Sequence, residues 1–477
     1  MVTKKMLKNI LSTSIFNIGS QALIFIAEIL VARMLMPSDF GAFALALIVV
    51  ELFSMLSMKS YAMAFVQSET TTDHDLSSIV IVSMLLSIFY VFVSIIFIEP
   101  ISRFWGGVTF AQSYSVLVWA LPVITLEYIY RLALLKKDCF WQMGAAEFAS
   151  VVLYSVIVTI LALLDFGFYS LLYAYLARQV IKLLIVLSIS VRNYNLLSGF
   201  YVSSIYKLSR MSFAMTLQSI FLFSTSNTDR YFVNLSGGAA SIGLYTRALK
   251  VLQMPLNLVV RNVSTILYVE FSKKQNDQQF LSDTFRITTF ILALIFIPAS
   301  TILVVYSDVL VSLVYGEKWL AMVPILKVLV VGAVISSLSI IVGDLLKSQG
   351  VVYREIISNS LALFVLVQLS YVLYETYGVT GIAYSFVFSQ IVFVSSQLIF
   401  LSKIINLNII DYFKVFIAPV TLSLLVYCFS ALLLQLFSRL GSLLILSTVL
   451  FALFSALTIS YGNKNEATKK LFFRMCL

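Results

Sequence analysis

Windows of about 20 mostly apolar residues, the length that spans the hydrocarbon core of a bilayer, recur from one end of this chain to the other with only short polar breaks. Fourteen can be placed, at 10–33, 41–66, 76–98, 113–135, 146–164, 168–190, 209–233, 243–271, 286–306, 322–346, 355–374, 380–402, 412–434 and 441–461. In lipid the backbone polar groups of such windows must be satisfied within the segment, as they are in a helix. The expected class is an all-α polytopic membrane protein with about 14 transmembrane helices. Composition agrees: 61% of residues are hydrophobic and 11% charged, whereas roughly a quarter are charged in soluble domains. Lys4, Lys5 and Lys8 look like the start of a signal peptide, but the apolar stretch after them is too long and lacks a small-residue cleavage site. It is expected to stay as a membrane helix.

The net charge of +10 does not signal nucleic acid, because the 32 Lys and Arg are scattered rather than gathered into a stripe or a basic domain. They encode orientation instead. With the N-terminus inside, cytoplasmic segments hold 19 Lys and Arg, and outward segments hold four, Arg33, Arg103, Lys318 and Arg439. That bias is what a chain with both termini in the cytoplasm requires. The loop QSETTTDHDL after the second window runs against it, being acidic, although acids weigh little in this rule. Cys139, Cys428 and Cys476 have no metal or redox spacing and read as inert filler. His74, flanked by Asp73 and Asp75, reads as a solvated ring, and no metal site is expected.

Three pairs of segments are alike at nearly constant separation. MPSDFGAFALA (36–46) matches SGGAASIGLYTRA (236–248), placing Phe40-Gly41 on Ile242-Gly243 at an offset of 202. ALLKKD (133–138) matches DLLKSQ (344–349), placing Lys136 on Lys347, and FGFYSLLY (166–173) matches YGVTGIAY (377–384), both at 211. Three matches in the same order point to a duplication. Each half then holds six helices, an even number, so the halves share one orientation and a pseudo-two-fold axis along the membrane normal. The expected organisation is a six-helix lobe at 1–192, a cytoplasmic linker at 193–208, a second six-helix lobe at 209–404, and two additional helices with a cytoplasmic tail at 405–477.

The run from Asn17 through LVARMLMPSDFGAFALA to AMAFVQSE, with NTDRYFVNLSGGAASIGLYTRALKVLQMPLNLVVRNVSTILYVEFSK in the second half, resembles the polysaccharide-exporter branch of the multidrug/oligosaccharidyl-lipid/polysaccharide transporter superfamily. In particular it looks like Wzx-type flippases of the colanic-acid and teichuronic-acid exporter group. The resemblance implies two six-helix lobes around a central cavity in the bacterial inner membrane. It implies a monomer that moves undecaprenyl-pyrophosphate-linked oligosaccharide by alternating access, with a polysaccharide polymerase and chain-length machinery as partners. No cofactor is implied beyond a coupling ion, H+ or Na+.

Nine basic residues fall inside the windows: Lys59, Arg131, Arg178, Lys182, Arg230, Arg247, Lys250, Arg261 and Lys327. Such charges face a wet cavity or a partner. Arg131, Arg178 and Lys182 are near enough to the cytoplasmic interface to snorkel to it. In the eighth window, Lys250 lies about 60° from Arg247 and Arg261 about 20° from Lys250 on a regular helix, with Asn257 beside them, so this face is expected to be cationic. Arg230 follows Asp229, which shares a polar face with Gln218 and Thr225 and reads as a built-in counter-ion; the alternative is a structural clamp near the outer interface. Glu28 shares a face with Asn17 and Gln21 and aligns with Arg230 at the 202 offset, as a coupling residue or a packing partner. Lys59 and, at the outward end, Arg33 complete the candidate pyrophosphate-binding set of Arg230, Arg247, Lys250, Arg261 and Asn257.

No loop much exceeds about 20 residues and no His, Cys and Asp constellation gathers, so an enzyme is not expected. The rival is a MATE-like ion-coupled multidrug extruder of the same superfamily. Charge sign separates the two, since a cavity for drug cations needs acids and this set is basic.

Overall fold

The computed structural model describes residues 4–195, 198–405, 407–436, 439 and 441. The fourteenth window and Cys476 lie outside these residues. The chain forms two compact units, Met1–Thr246 and Arg247–Leu477, and the described residues are helical with no strand.

The first unit runs through α1 (Lys4–Met34), α2 (Pro37–Ser54), a π-helical turn (Met55–Lys59), α3 (Ser60–Gln67), α4 (Asp73–Ile96), α5 (Ile98–Trp105), α6 (Gly107–Leu117), α7 (Ala120–Lys136), α8 (Phe140–Leu163) and α9 (Tyr169–Asn193). It ends within α10 (Val202–Pro255). Local signals set these boundaries. Pro37 opens α2, and Asp39 caps it by accepting the Met36 amide at 2.8 Å. Thr72 and Asp75 cap α4 reciprocally, the Asp75 carboxylate accepting the Thr72 amide at 2.9 Å.

The acidic loop that opposed the charge rule is tied to basic and linker residues. Lys207 donates to the carbonyl of Thr70 and pairs with Asp75 at 3.4 Å, and Asp73 accepts the Asn195 amide at 2.8 Å. Lys136 donates to the carbonyls of Phe65 and Ser68 at 2.8 and 2.7 Å, closing the end of α3. His74 is exposed but not free, because its Nδ1 lies 2.7 Å from the Ser198 carbonyl and its ring meets Tyr201 edge-on. Tyr194 donates to the Ala133 carbonyl at 2.7 Å, and burial pushes its phenol up to about 12.

The second unit holds the end of α10, a π-helical turn (Leu256–Val260), α11 (Arg261–Lys273), α12 (Gln278–Val305), α13 (Ser307–Val314), a 3₁₀ turn (Glu317–Met322), α14 (Val323–Ser348), α15 (Val352–Ser402), α16 (Ile409–Lys414) and α17 (Ile417–Leu436). Its core gathers Phe271, Phe285, Ile341, Leu345 and Leu401.

Among the described residues nine helices are long and apolar enough to cross a membrane, ten if the bent pair Gly107–Leu117 and Ala120–Lys136 is one span. In most of them the buried share is small, 28% in Asp73–Ile96 for example. The remaining apolar surface is what lipid would cover. The expected windows 355–374 and 380–402 form one helix, α15, broken at Gly378. Windows seven and eight share α10 and α11, with α10 broken at Gly237–Gly238.

The duplication read from the sequence has structural counterparts. Gly167, in the α8–α9 turn, has φ +57°, and Gly378, at offset 211, has φ +56°. Only a residue without a Cβ enters this region freely, so both halves turn at the same place by the same means. Two π-helical turns, Met55–Lys59 and Leu256–Val260, also stand at corresponding places, 201 residues apart and one residue off the 202 offset. The third counterpart is a contact. A Cβ on Gly41 would collide with the carbonyl oxygen of Ala239, and one on Gly243 with that of Pro37. Gly41 and Gly243, like Pro37 and Ala239, are 202 apart, so residue and partner exchange roles as in an isologous interface.

Candidate functional site

The interior of the first unit carries a charged cluster that spans four segments. On α7, Glu127 and Arg131 sit one turn apart, with Arg131 Nε 3.1 Å from Glu127 Oε1. On α9, Arg178 and Lys182 have the same spacing. Lys182 Nζ reaches Glu127 Oε1 at 3.2 Å and Glu147 Oε2, on α8, at 2.6 Å. Arg178 donates to Glu147 Oε1 at 2.6 Å. The two contacts on Glu127 are ion pairs at close range rather than aligned hydrogen bonds.

Lys59 enters this cluster from the π-helical turn. Ser57 and Met58 leave helical geometry there, Met58 with φ +65°. A non-glycine residue in that region costs about 1 kcal/mol or more and persists only where its surroundings impose it. The turn re-aims the chain so that Lys59 Nζ stands 5.0 Å over the ring of Tyr128, whose ring also carries Arg131 at 5.1 Å. Among the described residues no carboxylate stands within ion-pair distance of Lys59. Glu51, two turns back, is within electrostatic reach of both Lys59 and Arg230. Counting Lys59, Arg131, Arg178 and Lys182 against Glu51, Glu127 and Glu147, the cluster holds one more cation than anion.

Asp229 and Arg230 have different partners. The Asp229 carboxylate, 4% exposed, accepts the hydroxyl of the fully buried Tyr245 at 2.9 Å and the amide of Arg230 at 2.8 Å. The Arg230 guanidinium donates from Nη1 to Asn227 Oδ1 at 2.7 Å, while its buried Nε has no partner among the described residues.

Several expectations need correction. Arg131, Arg178 and Lys182 do not snorkel, since their side chains are 30%, 19% and 13% exposed and paired inside the unit. Nor do Arg247, Lys250 and Arg261 share one face. The π-helical turn between Lys250 and Arg261 adds a residue to the helix and rotates the turns beyond it by about 100°. Arg247 is buried, Lys250 half-buried and Arg261 exposed. The side chain of Asn257 lies outside the described residues. On α1, Glu28 is buried and Arg33 exposed, and Lys327 is exposed on α14. The structure thus brings half-buried Lys59 together with three cations that sequence reasoning set aside and adds Glu127 and Glu147, while Glu51 is exposed nearby and within electrostatic reach of Lys59 and Arg230. The paired spacings Glu127–Arg131 and Arg178–Lys182 were the available signal. The second unit's apolar cavity of about 310 Å³, lined by Ile335, Leu338, Val394 and Tyr412 among others, has no charged lining residue.

The sequence profile of the polysaccharide biosynthesis protein family matches residues 30–324, more than half of the chain. The chain belongs to that family. Its relatives of known name are distant in sequence. It is 23% identical over 331 residues to the succinoglycan biosynthesis transport protein ExoT of Rhizobium meliloti, a match covering 68% of this chain and 66% of that protein, just under two thirds of its length. Its fold is similar to that of the lipid II flippase MurJ in an inward closed conformation, with a TM-score of 0.77 at 17% identity over 94% of this chain and 99% of MurJ. An inward-facing MATE family multidrug resistance transporter gives 0.64 at 13% identity, over 81% of this chain and 94% of that one. This member of the polysaccharide biosynthesis family is therefore a multi-pass helical membrane protein whose fold is similar to those of the lipid II flippase and the multidrug transporter.

Proposed function

We propose that this protein is an inner-membrane flippase that carries polyprenyl-pyrophosphate-linked oligosaccharide from the cytoplasmic to the outer leaflet, without catalysing a reaction. The observation that carries this reading is Lys59, an intramembrane cation with no carboxylate partner among the described residues, in a cluster one positive charge in excess. Such a charge is costly in a membrane unless an anion or water meets it, and a pyrophosphate supplies the anion. Lys59 and Arg261 lie 202 residues apart, each closing or following its half's π-helical turn, so each half offers a cation at the same place. Arg230, with Nε unpartnered, is the third member of this set; Arg33, Arg247, Lys250 and Asn257 are assigned to the path of the head group. The family and the succinoglycan transporter support a glycan-linked cargo over a drug cation, as does the sign of the surplus charge. Glu28 and Asp229 are the candidate coupling acids. The halves at 1–192 and 209–404 are read as the two moving lobes.

Two experiments test this. Liposomes holding the protein and labelled polyprenyl-pyrophosphate oligosaccharide should show transfer between leaflets. Lys59→Gln and Arg230→Gln should each slow it by about tenfold or more, since charge-assisted bonds to phosphate are about twice as strong as neutral ones. Transfer at the wild-type rate by both folded variants would remove the anion site. For orientation, single cysteines placed between Arg192 and Lys207 should react only with a membrane-permeant thiol reagent; labelling from outside by an impermeant one inverts the topology.

A further inference from the structure

Asp229 and Arg230 are neighbours in sequence, yet among the described residues no ion pair joins the carboxylate to the guanidinium. The carboxylate is taken up elsewhere. Its Oδ2 accepts the Tyr245 hydroxyl at 2.9 Å and its Oδ1 the Arg230 amide at 2.8 Å. Tyr245 lies beyond the break at Gly237–Gly238, so this bond crosses from one arm of α10 to the other. The guanidinium is held from its far side. Asn227 donates to the Phe223 carbonyl at 2.9 Å, which leaves its Oδ1 for Arg230 Nη1 at 2.7 Å. The opposite edge, Nε with Nη2, is the one that grips a phosphate as a fork, and it bonds to none of the described residues. Nor does the duplicated fold itself demand these polar groups. At the 202 offset Asn227, Asp229 and Tyr245 fall on Phe25, Ala27 and Phe43, all apolar, and Arg230 falls on Glu28. The set is present only in the half that has the arginine.

We propose that Tyr245 is a positioning residue for the anion site: by holding Asp229 it keeps that carboxylate off Arg230 and leaves the guanidinium edge open to pyrophosphate oxygens. Tyr245 is fully buried and Asp229 is 4% exposed, so water cannot replace the hydroxyl. Without it, Asp229 Oδ2 is a buried charge short of a donor, which is costly. The cation within its electrostatic reach is Arg230. A guanidinium drawn to that carboxylate is lost to the cargo. This role rests on the flippase reading above, in which Arg230 meets an anion.

The test is binding, because Asp229 is also a candidate coupling acid and transfer would mix the two roles. The purified full-length protein in detergent is titrated with inorganic pyrophosphate at constant ionic strength, with Tm as the check on folding. Arg230→Gln should weaken binding by about tenfold or more. Tyr245→Phe, which removes only the hydroxyl, should weaken it to a similar degree. Adding Asp229→Asn to Tyr245→Phe should restore the affinity to within about threefold of the wild type, since a neutral amide does not draw the guanidinium away. A hydroxyl that served packing alone would give no such recovery. Tyr245→Phe binding like the wild type, or no recovery in the double variant, overturns the role of Tyr245 and leaves the anion site standing. Arg230→Gln at wild-type affinity, or no binding by the wild type, removes the anion site and the positioning role with it. Should Tyr245→Phe fail to fold, Asp229→Asn alone should bind pyrophosphate at least as tightly as the wild type, and weaker binding there is decisive against the proposal.

Discussion

Gly41→Ala and Gly243→Ala should each lower the melting temperature by several degrees, and the double variant should lose little more than either alone. Each new methyl would meet a backbone carbonyl, Ala239 or Pro37, and would also approach the amide nitrogen of the opposite glycine, at 3.0 Å from position 41 and 3.2 Å from position 243. A flexible side chain can rotate away from such a clash, but backbone cannot, so two helices must separate. Overpacking of this kind costs about 1–3 kcal/mol. Once one methyl has parted the helices, the second finds the space already open. The two losses should therefore fall short of additivity by about 0.5–3 kcal/mol, as for residues in direct contact. Thermal melts of the four proteins in one detergent decide the matter. Strictly additive losses would mean that the glycines act separately and that the reciprocal contact is absent.

The second large effect is expected at Lys182. Its ammonium stands between Glu147 at 2.6 Å and Glu127 at 3.2 Å, and Glu127 is 4% exposed. Lys182→Met leaves Arg131 and Arg178 with one carboxylate each but removes the charge that joins the two pairs. Each carboxylate keeps one arginine, so the loss should stay below the roughly 3–5 kcal/mol that a stranded buried charge costs. Adding Glu127→Gln to Lys182→Met should deepen the loss, because Arg131 then loses its carboxylate as well. Arg103→Met, which deletes a pair whose side chains are both 78% exposed, should change nothing measurable. If Lys182→Met melts like the wild type, water in the interior already solvates these ions and the cluster is not a structural unit.

The apolar windows and the duplicated segments were legible because both depend on order along the chain. The windows follow helix after helix, and the 211 offset that aligned FGFYSLLY with YGVTGIAY falls on the paired glycines 167 and 378. The cluster in the first unit was not legible, because its members come from α7, α8, α9 and the π-helical turn, and only the distances between helices join them. Arg131 and Lys182 looked able to reach water; in the folded unit carboxylates are nearer. The cationic stripe from Arg247 to Arg261 failed for a different reason. Regular helix arithmetic does not survive an inserted residue, and the segment MLSMK has no glycine or proline to announce the corresponding turn in the first half, whereas LNLVV at least follows Pro255.

The paired π-helical turns also carry a record of descent. An inserted residue in a helix is a discrete genetic event, and two such events at matching positions are less economical than one that was copied. The insertions at Met55–Lys59 and Leu256–Val260 then point to a single ancestral half, and at the 202 offset of the duplicated segments Lys59 falls on Arg261. The lysine and arginine now at those two positions are one measure of how far the two copies have diverged.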